Sequence, residues 1–228
     1  MLERLEILVG KENVSKIKSK NVAIVGIGGV GGYVVESLVR SGVENITIID
    51  YDKIDVTNKN RQIIALDSTI GMKKVDAFEQ RIKSINFNCQ VKKVDYFLDK
   101  SNISILKDYD YVVDSCDSIL TKFEIIKYCL DNNICFISCM GTGKRLNPSL
   151  LKITDLMKTE YDPLAKRLRK MVRDAKINKK ITVVCSTEVP RKLDANVIGS
   201  NSFVPATAGL LITSYIVNDI LSRWYNWN

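Results

Sequence analysis

An apolar run that ends in a glycine-rich loop and passes straight into a helix pattern constrains this chain more than any other feature. Residues Asn21–Gly26 read NVAIVG, and Gly26-Ile27-Gly28-Gly29-Val30-Gly31-Gly32 leads into a helix pattern over Val30–Ser41. The spacing is G-x-G-x-x-G in its strand–loop–helix setting. Glycines there permit a tight turn and let phosphates approach the backbone, while the helix N-terminus turns N–H groups toward an anion. Gly26, Gly28, Gly29 and Gly31 are therefore candidate nucleotide contacts. Asp50 ends the next apolar run, Asn45–Asp50, where a carboxylate can accept hydrogen bonds from ribose hydroxyls. These features predict an adenine nucleotide and leave NAD and ATP both open.

The rest of the chain sets this loop in a sheet. Strands are predicted at Gln90–Asp95, Tyr109–Asp114 and Ile134–Cys139, and helices at Met72–Ile85 and Ser118–Asn132. Strands that read as Val/Ile runs and alternate with helices predict a parallel sheet covered on both faces. Leu150–Thr154 and Ile181–Cys185 predict two more strands. Asp162–Lys176 predicts a helix rich in Lys and Arg, and Thr207–Trp224 an amphipathic C-terminal helix. The expected fold is α/β: a Rossmann-type, mostly parallel sheet with helices on both faces and an antiparallel C-terminal extension. A chain of 228 residues suits one domain over 1–228. The segment Glu188–Ser202 is the expected mobile loop, on its Pro, Asn and Gly content.

The chain has no histidine. That excludes imidazole as base or ligand, and with it Ser-His-Asp, Cys-His and most zinc chemistries. The six cysteines form no C-x-x-C pair and mostly lie in apolar runs, as Cys135 and Cys139 do; reduced core thiols are expected. Lys and Arg number 34 against 26 Asp and Glu, a net charge of +8. That favours a polyanionic partner, although a solvated basic surface accounts for the same number. Asn218 and Asp219 interrupt the longest apolar stretch, so no membrane-spanning segment is expected. Met1-Leu2-Glu3-Arg4 lacks the basic-then-apolar pattern of a signal peptide. A cytoplasmic location is expected.

A polar cluster after Asp50 separates ATP from NAD. The segment Asn58-Lys59-Asn60-Arg61-Gln62 has no use in a dehydrogenase. A triphosphate site does use it, because Arg offers a forked donor set to phosphate oxygens and an amide fixes their orientation. Gly71-Met72-Lys73-Lys74 then opens a helix, where a lysine can neutralise charge building on departing pyrophosphate. The strand Tyr109–Asp114 runs into Asp114-Ser115-Cys116-Asp117, whose carboxylates are placed to hold Mg²⁺. Asp117 could also cap the helix that follows.

In this order, these motifs resemble the ThiF/MoeB/ubiquitin-activating-enzyme superfamily from about Arg4 onward. The resemblance implies an ATP-dependent adenylating enzyme. Gly28 and Gly29 would line the nucleotide loop and Asp50 would bind ribose. Asn58, Arg61 and Lys74 would contact phosphates, Asp117 would bind Mg²⁺, and Arg4 would reach the phosphates of a partner subunit, which implies a homodimer. Met140–Pro148, Asp155–Thr159 with Asp162–Ala165, Ser186–Glu188 and Gly199–Pro205 resemble, within it, the tRNA threonylcarbamoyladenosine dehydratase family. Gly32 and Lys144 depart from the usual residues. This closer resemblance implies dehydration of threonylcarbamoyladenosine in tRNA through an acyl-adenylate. Adenylation of a ubiquitin-like sulfur carrier, with sulfur-transfer proteins as partners, and a non-catalytic nucleotide-binding module are the alternatives. Between Lys158 and Lys180 there are nine basic residues against three acidic ones. Lys166, Arg169, Lys170 and Arg173 recur at three- and four-residue steps, and with Arg167 they are the candidate contacts to tRNA phosphates.

Overall fold

The computed structural model describes residues 1–192 and 197–221. The strands are β1 (Asn21–Val25), β2 (Asn45–Ile49), β3 (Gln90–Val94), β4 (Tyr111–Asp114), β5 (Cys135–Cys139), β6 (Leu151–Asp155) and β7 (Thr182–Ser186). All belong to one sheet of order β3-β2-β1-β4-β5-β7-β6. Pairing is parallel except between β6 and β7, whose register is Leu151↔Ser186 to Asp155↔Thr182. The expected α/β architecture with an antiparallel C-terminal extension is thus present. Each strand lies within two residues of its expected bounds. The largest difference is β4, because Asp108 turns at φ 71° and Tyr109 instead bonds Thr47 through its hydroxyl (2.7 Å).

The helices are α1 (Glu3–Val9), α2 (Lys11–Lys18), α3 (Gly31–Arg40), α4 (Lys74–Ile85), α5 (Ile119–Asp131), α6 (Pro163–Asp174) and α7 (Phe203–Ile220). The β-branched strand residues divide between two faces. Val22, Ile24, Ile46 and Ile48 pack with Val34, Leu38, Phe78, Ile82, Ile212 and Ile216 of α3, α4 and α7. Ala23, Val25, Ile49 and Val112 pack with Ile125 and Cys129 of α5 on the other. A third cluster joins Leu168 and Val172 of α6 to Ile126 of α5 and Val183 of β7. Between α3 and α4, Glu36 accepts from Arg81 Nε (2.6 Å) and Arg40 Nε (2.8 Å). Burial raises the Glu36 carboxyl, but both guanidinium groups outweigh it and hold the group below its ordinary value.

Three local readings change. Neither α1 nor α2 was expected, since both are short and charged; α2 is fixed by burying Val14 and Ile17. α7 begins at Phe203, four residues before expectation, because Asn201 Oδ1 accepts from Val204 N (2.9 Å) and starts the first turn. Its 18 residues have mean hydropathy 1.3, so length and composition alone would suit a membrane span, contrary to expectation. Here its polar groups are tied into the fold, with Thr213 bonded to Ser37 of α3 (2.6 Å) and Asp219 accepting from Tyr111 of β4 (2.6 Å). Residues 222–224 of the expected helix, and 193–196 of the expected mobile loop, lie outside the described residues. All six cysteines are free thiols, but Cys135 is exposed at the start of β5 and is not a core residue.

Candidate active site

β1 is flanked by β2 on one side and β4 on the other, so chain order reverses across it. A cleft of about 290 Å³ opens there, over the carboxyl ends of these strands. Gly26 adopts φ 80°, and a Cβ on it would lie 2.8 Å from the backbone of Cys116. Only glycine allows β1 and β4 to end this close together. Gly28 and Gly29 line the cleft. Gly31 stands behind that lining. A Cβ there would meet Gly26 O at 1.9 Å and Ser115 Oγ at 2.5 Å, so Gly31 lets α3 start against the loop.

Asp50 also lines the cleft. Its carboxylate accepts the N–H groups of Ile27 and Asp52, each at 2.9 Å, bracing the glycine loop against the end of β2. Asn58 and Arg61 stand on the segment after β2, in the same cleft. Asn58 Oδ1 accepts from Asp55 N (3.1 Å). Arg61 Nη1 donates to Thr57 O (2.9 Å) and Asn60 Oδ1 (3.0 Å). Gln62 is buried against Gly28, and its Oε1 has no hydrogen-bond partner among the described residues. Lys74 begins α4 and lines the cleft, where its ammonium pairs with Asp52 (2.7 Å) and Asp50 (3.5 Å).

The two aspartates after β4 separate. Asp114 is fully buried and accepts from Lys122 Nζ (3.0 and 3.1 Å) and Ser138 Oγ (2.5 Å). It therefore holds β4, α5 and β5 together, and is not the cation ligand that sequence alone allowed. Burial opposes the Lys122 charge, but the Asp114 carboxylate outweighs that and holds the ammonium above its usual value. Asp117 is exposed in the cleft and takes no ion pair or hydrogen bond through its carboxylate among the described residues. Nor does it cap α5; Ser118 does, accepting from Thr121 N (3.3 Å). Cys116 lies between them, its thiol pushed well up by burial and then by Asp114, so it is a poor nucleophile. Cys185 is buried in β7, with its thiol pushed up to about 12 by burial.

The cleft contains residues that sequence reasoning missed. Tyr51 and Phe97, after β2 and β3, meet edge to face at 5.4 Å between centroids, with Tyr96 beside them. The Asp52 charge, then burial, raises the Tyr51 hydroxyl. Tyr51, directly after the apolar run Asn45–Asp50, was a usable signal. Thr142, Ser200 and Pro205 complete the far wall. The Thr142 loop is pinned by Arg145, which donates to Gly141 O (2.7 Å) and pairs with Asp162 (3.3 Å), the N-cap of α6. That link reaches the basic helix. Lys166, Arg167, Lys170 and Arg173 are exposed along α6 and form no ion pair among the described residues. Arg169 is different: half-buried, it donates to Thr159 O (2.7 Å). Arg4 lies on exposed α1 and is not part of this cleft.

Comparison with known proteins places the chain among relatives. Residues 2–147 match the ThiF family. The tRNA threonylcarbamoyladenosine dehydratase of Bacillus subtilis is 38% identical over 237 residues, covering 96% of this chain and 93% of the relative. That of Escherichia coli is 33% identical, covering 95% and 91%. The crystal structure of the E. coli tRNA N6-threonylcarbamoyladenosine dehydratase in complex with ATP superposes with a TM-score of 0.91 at 34% identity, covering 96% of this chain and 92% of that one. The chain belongs to the ThiF family, in the branch whose members bear the name tRNA threonylcarbamoyladenosine dehydratase.

Proposed function

We propose that this protein is an ATP-dependent adenylating enzyme that dehydrates threonylcarbamoyladenosine in tRNA to a cyclic product. One observation carries the reading: a single cleft at the β1–β4 junction gathers Gly28, Gly29, Asp50, Arg61, Lys74 and Asp117, in a chain related almost end to end to proteins of that name. The threonyl carboxylate attacks the α-phosphorus of ATP and expels pyrophosphate. The carbamoyl group then attacks the acyl carbon of the acyl-adenylate, closes the ring and expels AMP, which keeps the carboxylate oxygen. Because the second nucleophile is tethered, effective molarity supplies much of the rate. No imidazole or thiolate is needed, which agrees with a chain lacking histidine and a cleft whose cysteine is a poor nucleophile.

The glycine loop receives the phosphates, Asp50 the ribose, and Asn58, Arg61 and Lys74 the triphosphate charge. Among the described residues no group of three or more His, Cys, Asp or Glu is arranged to hold a metal. Asp117 supplies one unpaired carboxylate beside the phosphate loop, and one carboxylate with substrate phosphates and water is how Mg²⁺ is commonly bound. Bound there, Mg²⁺ would offset phosphate charge. Arg4 would enter the cleft of a second copy in a homodimer, and the exposed cations of α6 would follow the tRNA backbone. A cytoplasmic location goes with this reading.

The test uses α-labelled ATP with threonylcarbamoyl-modified tRNA. One labelled AMP should form per nucleoside converted. Labelled ADP would exclude an acyl-adenylate. AMP formation that depends on a carrier protein and not on tRNA would assign the same chemistry to sulfur-carrier activation.

A further inference from the structure

Lys74 is not a free cation waiting in the cleft. As the first residue of α4 it sits where the helix dipole disfavours an ammonium group, and its side chain is only 6% exposed. Both conditions call for a carboxylate partner. Two stand near, and they are not equivalent. Asp50 is 3.5 Å away and already accepts two backbone N–H groups. Asp52 is 2.7 Å away, makes no other hydrogen bond through its carboxylate among the described residues, and is 48% exposed toward the cleft. Its backbone is joined to the same lysine: Lys74 N donates to Asp52 O (3.0 Å), beside a bridge between Lys53 and Lys73. Residues 52–54 and 71–74 therefore hold the pair as one piece.

We propose that Asp52 is a positioning residue acting through Lys74: it braces the ammonium on the cleft wall, aimed at the charge that grows on departing pyrophosphate. This inference rests on the adenylating reading above. An unbraced lysine would turn to the ground-state triphosphate, and binding that is equal in ground and transition states does not raise kcat. A braced one is preorganised, so its attraction counts most when leaving-group charge appears. Asp52 also repels the triphosphate, so removing its charge relieves repulsion.

The test compares wild type, Asp52→Asn, Asp52→Glu, Lys74→Met and the double variant Asp52→Asn/Lys74→Met. It reads kcat and KM for dehydration and, separately, ATP affinity by calorimetry. Asp52→Asn should lower kcat about tenfold to a hundredfold while ATP binds as tightly as before or more tightly. Asp52→Glu should recover part of kcat. In the Lys74→Met background Asp52→Asn should cost nothing further, since no ammonium remains to position. Wild-type kcat in Asp52→Asn, additive losses in the double variant, or weakened ATP binding in Asp52→Asn would each overturn the proposal. If wild type binds ATP but converts no tRNA, the tRNA reading fails, and the calorimetric comparison still judges Asp52.

Discussion

Asp114 and Asp117 lie three residues apart and have opposite surroundings. The strand end turns the first into the core, onto Lys122 and Ser138, and leaves the second in the cleft without a partner among the described residues. A fully buried ion pair adds little net stability, but removing one member strands the other charge away from water. Lys122→Met should therefore cost about 3–5 kcal/mol of stability, measured as a lower urea midpoint. A variant as stable as wild type would contradict the pair's structural role. Asp114 and Asp117 look alike in sequence; what separates them is Lys122, which lies on the buried face of α5 with Ile125, Ile126 and Cys129. The Asp52–Lys74 pair was equally hidden, because its members are 22 residues apart and meet only through the loop between β2 and α4.

At the scale of elements, the basic helix is fastened to the cleft. Asp162 caps α6 through Ala165 N (2.8 Å) and pairs with Arg145, which holds the loop bearing Thr142. A polyanion lying on α6 is thus registered against the nucleotide cleft. Reversing Lys166, Arg167, Lys170 and Arg173 to Glu should weaken tRNA binding, with ATP affinity unchanged. The salt dependence should flatten by roughly one unit of slope for each phosphate that is no longer neutralised. Unaltered tRNA affinity would remove α6 from the interface. Charge spacing made this helix legible in advance, but not the withdrawal of Arg169 toward Thr159, which depends on the chain fold before α6. β1, β2 and β4 were legible because buried parallel strands are apolar along their length. α1 was not: none of its residues is buried, so no hydrophobic period marks it.

At the scale of the whole molecule, the proposed homodimer would complete each cleft with the partner's Arg4. α1 carries Arg4 away from its own cleft and exposes Ile7 and Leu8 (84% and 72%), a face a second copy would cover. If each cleft needs its own Asp117 and the partner's Arg4, then Arg4→Ala and Asp117→Ala should each be inactive. Unfolded and refolded together, they should recover activity, because mixed dimers contain one complete site. No recovery, despite mixed dimers seen by native mass measurement, would contradict a shared site.

If this cleft activates a carboxylate on tRNA, the product itself records it. The decisive quantity is the mass of the modified nucleoside after threonylcarbamoyl-modified tRNA is incubated with the protein, ATP and Mg²⁺, with Asp117→Ala as control. ATP-dependent loss of one water is expected with wild type, and no change with the variant. An unchanged nucleoside with the wild-type protein, or equal conversion by Asp117→Ala, would contradict carboxylate activation in this cleft.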